Sequence, residues 1–163
     1  MKQSTRDSID AITKGLNAEL AAYVFYKKAA EKAGQLEYRD LFLKLAVEEK
    51  DHFRMLETIH DGLIRTEKWI TYNDILRQGK LPDIPEEMAE THRQRIEALP
   101  ELNDLERVIK MAIKLEEEAR DLYQSLIAKM DDPSAKEMYS FLSKFESGHV
   151  SLLTEWLNKL IKQ

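Results

Sequence analysis

The sequence predicts an all-α fold, a four-helix bundle of two antiparallel helical hairpins joined by a long crossover. Three observations carry this. Charged residues make up 34% of 163 residues, with only five Gly and four Pro, and Lys, Glu, Leu and Ala dominate, the composition of a helical protein. Four long stretches place apolar residues at alternating three- and four-residue spacing, the seam of a helix facing a bundle core. The third observation is an internal repeat without a gap. Glu19, Ala22, Tyr26, Leu45, Glu49, His52 and Leu56 recur 97 positions later as Glu116, Ala119, Tyr123, Leu142, Glu146, His149 and Leu153. A chain that repeats this way builds two similar halves.

The first helix is expected from about Thr5 to Ala33, stopped by Gly34, with Ile12, Gly15, Glu19, Ala22, Tyr26 and Ala29 on its inward stripe. The second is expected from about Leu36 to His60, with Gly62 just beyond, and turns Phe42, Leu45, Glu49, His52, Leu56 and Ile59 inward. Asn103, with Glu106 three residues on, reads as the N-cap of the third helix, which runs to about Met130. Its stripe is Leu105, Ile109, Ala112, Glu116, Ala119, Tyr123 and Leu126. Asp131-Asp132-Pro133 is a turn into the fourth helix, which reaches about Ile161 and presents Tyr139, Leu142, Glu146, His149, Leu153 and Trp156.

The chain thus reads as one domain, 1–163: a hairpin over 5–60, a crossover over 61–102 and a hairpin over 103–161. The crossover holds Pro82, Pro85 and Pro100, with short helical patterns around 73–78 and 86–95, and Trp69, Ile70 and Ile75 to lay it on a helix face. If a two-fold axis relates the halves, the second and third helices run parallel, and the crossover must travel the bundle's length, roughly 40 Å.

In every stripe the acidic and histidine residues lie near the middle, so the folded helices bring them to one level. Four buried carboxylates cannot all ionise without counter-charge, and no Lys or Arg occupies the stripe centres. Two divalent cations would balance them, and neutral imidazoles add coordination without adding charge. Glu and His three apart share a helix face. One Glu from each of two helices plus Glu-x-x-His from each of the other two is the donor set of a dinuclear carboxylate centre. The predicted ligands are Glu19, Glu49, His52, Glu116, Glu146 and His149, and the repeat implies two near-equivalent metal positions. Oxygen and imidazole donors suit iron and manganese alike. Tyr26 and Tyr123, two turns beyond Glu19 and Glu116, are expected to hydrogen-bond carboxylate ligands, a supporting role in catalysis.

Other acids and histidines test the pattern. Glu57 and His60 repeat the Glu-x-x-His spacing but fall beside the stripe, and their counterparts are Thr154 and Leu157, so they are read as surface residues. Glu48, Glu117 and Glu118 flank the stripes and are expected to be solvated; His92 has no counterpart. Gly148, within the second motif, suggests close helix approach or space beside His149. Trp156, Tyr139 and Phe42 read as core.

Composition excludes several functions. A net charge of −5 offers no basic stripe for nucleic acid. No apolar run is long enough to span a bilayer, and the first residues lack a secretory apolar segment. With no Cys, disulfides, thiolate ligands and Cys nucleophiles are excluded. A cytoplasmic protein is expected.

On Glu19, Glu49-Lys-Asp-His52, Glu116 and Glu146-Ser-Gly-His149, over both hairpins, the chain resembles the ferritin-like superfamily, and within it rubrerythrin-like proteins. Ile113-Lys-Leu-Glu-Glu-Glu-Ala-Arg-Asp-Leu-Tyr123 is similar to stand-alone rubrerythrin-type domains, while Leu16-Asn-Ala-Glu-Leu20 and Gly148-His149 are nearer bacterioferritin. The resemblance implies a non-haem di-iron centre reducing peroxide or oxygen as Fe(II) is oxidised, with Glu49 and Glu146 bridging and Glu19 and Glu116 terminal. Departures qualify it. Absence of Cys removes the rubredoxin domain of full rubrerythrins, so an external electron donor is expected. The extra rubrerythrin Glu, one turn past the third-helix ligand, is Ala119 here. The haem-binding Met of bacterioferritins is Lys50, which argues against haem and against a storage cage. A homodimer is expected, with an iron-storing mini-ferritin, a di-iron hydroxylase of an organic substrate and a metal-free interaction bundle as rivals.

Overall fold

The computed structural model describes residues 1–69 and 104–163. Among them are four α-helices and no strand: α1 (Gln3–Lys32), α2 (Leu36–Thr66), α3 (Leu105–Lys129) and α4 (Pro133–Ile161). The expected helical patterns at 73–78 and 86–95, together with Ile70, Ile75, His92 and Asn103, lie outside the described residues.

Local chemistry explains the helix ends. Asp132 caps α4, its carboxylate accepting from the backbone N–H groups of Ser134 and Ala135, and Pro133 follows at the first helical position, where its missing N–H does no harm. Asp104 does the same for α3, accepting from Glu106 and Arg107, so the cap falls one residue after the expected Asn103. Of the two glycines expected at helix ends, Gly34 lies just past the end of α1 and Gly62 does not end α2. α1 ends at Lys32 through Ala33, which is extended at φ −67°. α2 runs through Gly62, which is buried, to Thr66. There Glu67 takes the left-handed conformation (φ 55°), its N–H bonding Leu63 O. Packing around Ile59, Gly62 and Leu63 carries α2 past a residue of poor helix propensity.

α1 packs on α2, α3 on α4, and α1 on α3. Tyr26 meets Glu116 and Tyr123 meets Glu19, so α1 and α3 run antiparallel. As each hairpin is itself antiparallel, α2 and α3 run parallel, as a two-fold between the halves requires. All the predicted stripe residues are buried except Leu105 and Trp156, which are half-buried near helix ends.

Two apolar clusters fill the interior on either side of the polar level. One contains Ile12, Leu56, Tyr123, Tyr139 and Leu142. The other contains Ile109, Leu153, Tyr26, Phe42 and Leu45. Shifting the first set by 97 positions yields the second, so the two-fold exchanges the clusters. Each fully buried Leu or Ile contributes about 1.5–3 kcal/mol, and this burial stabilises a bundle that must also enclose charged groups.

Candidate metal centre

The polar level lies between the clusters, on all four helices. Glu19 on α1, Glu49 and His52 on α2, Glu116 on α3, and Glu146 and His149 on α4 are all buried. Their donor atoms form two overlapping groups, each within 4.8 Å: Glu19, Glu49, His52 and Glu146, and Glu49, Glu116, Glu146 and His149. All six predicted ligands are brought together. Glu49 and Glu146 belong to both groups; Glu19 with His52, and Glu116 with His149, belong to one each.

Both imidazoles turn Nδ1 into the cluster. His52 Nδ1 is 3.4 Å from Glu19 and 3.6 Å from both Glu49 and Glu146. His149 Nδ1 is 2.8 Å from Glu49, 3.2 Å from Glu146 and 3.3 Å from Glu116. The tyrosines hold the outer carboxylates from the opposite half: Tyr26 donates to Glu116 Oε1, and Tyr123 to Glu19 Oε1. Sequence periodicity predicted a carboxylate partner for each phenol; the crossed pairing follows from the antiparallel contact of α1 with α3. Burial, then the negative charge of Glu116 or Glu19, raises both phenols well above their usual range, so both remain donors. Gly15 makes room for this contact, since a Cβ there would lie 3.1 Å from Leu56 and 3.2 Å from the Tyr123 ring.

The electrostatics of the carboxylates divide by position. Burial raises Glu49 well above the carboxylate range, and repulsion from Glu116, Glu19 and Glu146 adds to it. Burial and the charge on Glu19 push Glu146 up to about 8, although hydrogen bonding to the histidines works the other way. At Glu19 burial also opposes charge, but hydrogen bonding with Glu49, His52 and Tyr123 outweighs it and lowers the group to about 2. Burial disfavours the charged histidines. Hydrogen bonding to the surrounding carboxylates overcomes this and raises both. The two shared carboxyls therefore hold protons that a cation would replace.

The donor set fits a metal. Glu19 Oε2, Glu49 Oε1, Glu116 Oε2, both oxygens of Glu146, and Nδ1 of both histidines are buried and attract one another at 2.8–3.6 Å where histidine meets carboxylate, but none has a hydrogen bond of good geometry. Buried polar atoms are nearly always satisfied; here the orphans converge on one place and are all oxygen or imidazole donors.

Other candidates separate cleanly. Glu57 and His60 are half-buried and outside both groups, and His60 faces Asp61 at 3.7 Å. Glu118 is exposed and pairs with Lys114; Glu117 is half-buried. A Cβ on Gly148 would meet nothing within 4 Å, so close helix approach does not explain this glycine. Glu48 is the correction. It is no merely solvated acid: its Oε2 lies 2.9 Å from His149 Nε2. The available signal was negative, a mismatch in the repeat, since Phe145 stands at the corresponding position of the second half.

No family model matches the chain, and no curated protein matches it. Two solved structures share its architecture. A hypothetical protein from Pyrococcus furiosus superposes with a TM-score of 0.68 at 21% identity, over 94% of this chain and 90% of that one. A two-domain protein from Anabaena variabilis, containing DJ-1/ThiJ/PfpI-like and ferritin-like domains, superposes with a TM-score of 0.72 at 19% identity, over 95% of this chain and 40% of that protein. The fold is thus a ferritin-like four-helix bundle enclosing a buried Glu/His cluster able to bind metal. No described helix is long and apolar enough to cross a membrane.

Proposed function

We propose that this chain is a rubrerythrin-like non-haem di-iron protein that reduces peroxide or oxygen while Fe(II) is oxidised. One observation carries the reading: two candidate ligand groups share Glu49 and Glu146, an arrangement suited to two cations side by side. Glu49 and Glu146 would be shared by both ions, Glu19 and His52 would complete one site, and Glu116 and His149 the other. Held there as a pair, Fe(II) would supply the two electrons that, with two protons, convert one hydrogen peroxide to two waters.

The protein's own residues prepare the site. Tyr123 and Tyr26 donate to Oε1 of Glu19 and Glu116, which fixes each carboxylate and leaves its Oε2 buried without a hydrogen bond. The flanking apolar clusters keep bulk water out, which strengthens every charge interaction within. Six side chains would not saturate two ions that prefer six ligands each, which would leave room for a small oxidant. These residues contain no Cys, so an external donor returns the electrons.

The test begins with anaerobic loading of Fe(II) and a metal count, expected at about two per chain. Hydrogen peroxide is then added, and Fe(II) loss is followed in stopped flow through the rise in near-ultraviolet absorption. Protein shown to hold two irons that oxidises them with neither peroxide nor oxygen would exclude the reading. Repeated turnover is expected only with an added reductant.

A further inference from the structure

The six candidate ligands obey the 97-residue repeat, but the groups behind the two histidines do not. His149 points Nδ1 into the cluster, and its outer nitrogen, Nε2, lies 2.9 Å from Glu48 Oε2. Glu48 belongs to α2, so this contact ties the two hairpins together at the level of the site. Its side chain is 29% exposed. His52 also points Nδ1 inward, but the position matching Glu48 is Phe145. The Phe145 ring meets the His52 imidazole edge to face, with centroids 4.5 Å apart and planes at 88°. Phe141 lies farther off at 6.4 Å. Among the described residues no carboxylate stands behind His52.

The difference has a chemical consequence. A carboxylate only accepts, so Nε2 of His149 must carry a hydrogen, and the neutral ring then has its lone pair on Nδ1. That tautomer presents a donor to a cation inside the cluster. The same bond fixes the ring plane and makes Nδ1 more basic. Phe145 limits how the His52 ring can turn, but it has no acceptor with which to select a tautomer.

Resting on the two-metal reading above, we propose that Glu48 is a positioning residue that makes the two halves of the centre inequivalent. The position of Glu116 and His149 takes the first divalent cation, and that of Glu19 and His52 the second. Removing the carboxylate behind a ligating histidine lowers metal affinity about 10–100-fold, which sets the size of the expected preference.

Co(II) alone is the probe. Crystals of the full chain given one equivalent of Co(II) should show anomalous scattering chiefly beside His149. Equal density at both positions, or density chiefly beside His52, would overturn the proposal while leaving the two-metal centre standing. Protein that takes up no Co(II), Mn(II) or Fe(II) would overturn both. Affinity gives a second measure. Glu48→Ala, at a partly exposed site, should weaken the first Co(II) step about 10–100-fold with the metal-free melting temperature nearly unchanged. In a His149→Ala background the same change should have no effect. Equal losses in the two backgrounds would show that Glu48 acts on the site at large and not through His149. Phe145→Glu should shift cobalt towards His52.

Discussion

The two hairpins contribute the same ligand types to one site and differ in what surrounds them. At the polar level the matched residues are identical: Glu19 and Glu116, Glu49 and Glu146, His52 and His149, Tyr26 and Tyr123. One turn outward the match fails. Phe42 stacks on Tyr26 at 6.2 Å, and its counterpart Tyr139 stacks on Tyr123 at 6.0 Å with nearly the same tilt. Tyr139 adds a hydroxyl that is buried without a hydrogen bond. Glu48 bonds His149, while Phe145 packs on His52. The interior residues answer to one set of charges and one volume, and a change in either half unbalances both. The residues just outside, Glu48 and Phe145, each reach across to a histidine of the other hairpin, but neither belongs to the shared donor set, so they are free to differ.

The comparison breaks most severely at the shared carboxylates. Glu49→Ala and Glu146→Ala come from different halves, yet each should abolish binding at both positions, because each residue lies in both ligand groups. Metal counted after loading and desalting is the measure. Loss of only one ion in either variant would show that the residue serves one side. Glu57→Ala and His60→Ala should leave the count unchanged.

Protonation tests whether the level is one electrostatic unit. A carboxyl whose folded value is raised stabilises the protein below its ordinary value and loses that contribution as pH rises through the raised one. Glu146 moves from 4.5 to about 8, and Glu49 moves in the same direction. The metal-free protein should therefore lose stability between about pH 4.5 and pH 8. The raised histidines add stability below their ordinary 6.5 that is lost only as pH rises through their higher folded values. Glu19, lowered to about 2, acts on the other flank, and its contribution disappears as pH falls from 4.5 towards 2. Metal replaces protons, so affinity should rise across the window in which the metal-free protein weakens. Melting temperatures with chelator and with saturating Mn(II), at about pH 5 and pH 8, should diverge as pH rises. Parallel curves would mean that the carboxyls do not compete with metal.

The crossed tyrosines sharpen the two-fold. Tyr26→Phe and Tyr123→Phe should each cost the metal-free protein about 1–3 kcal/mol, because each leaves a buried carboxylate oxygen without its donor. Denaturant titration should yield similar losses. A clear inequality would show that the asymmetry around Glu48 and Tyr139 extends to the terminal carboxylates.

Two glycines supply the smallest contrast. Gly15→Ala should destabilise by about 1–3 kcal/mol, since the new methyl crowds Leu56 and Tyr123. Gly148→Ala, with open space around it, should stabilise the helix by about 0.5–1 kcal/mol. Thermal melts of both variants distinguish a glycine needed for helix approach from one that is not.

The one-dimensional pattern was sufficient to place the six candidate ligands. Helical periodicity decides which side chains share a face, and the uninterrupted repeat ensures that the two halves bring them to the same level. The same pattern separated Glu57 and His60 from Glu49 and His52, because one register of the helix points inward and the neighbouring one does not. Helix ends were less legible. Gly34 and Gly62 carry the same local signal of a stop; α1 ends just before Gly34, but α2, where tertiary burial outweighs one weak propensity, continues through Gly62 to Thr66. The partners of Tyr26, Tyr123 and His149 belong to tertiary structure alone. Each contact joins residues about a hundred positions apart, on helices whose relative rotation is determined by how the two cores pack. Periodicity along one helix states which way a side chain points. It carries no information about what stands opposite, and that is why the sequence alone marks Glu48 as solvated while the fold sets it against His149 on α4.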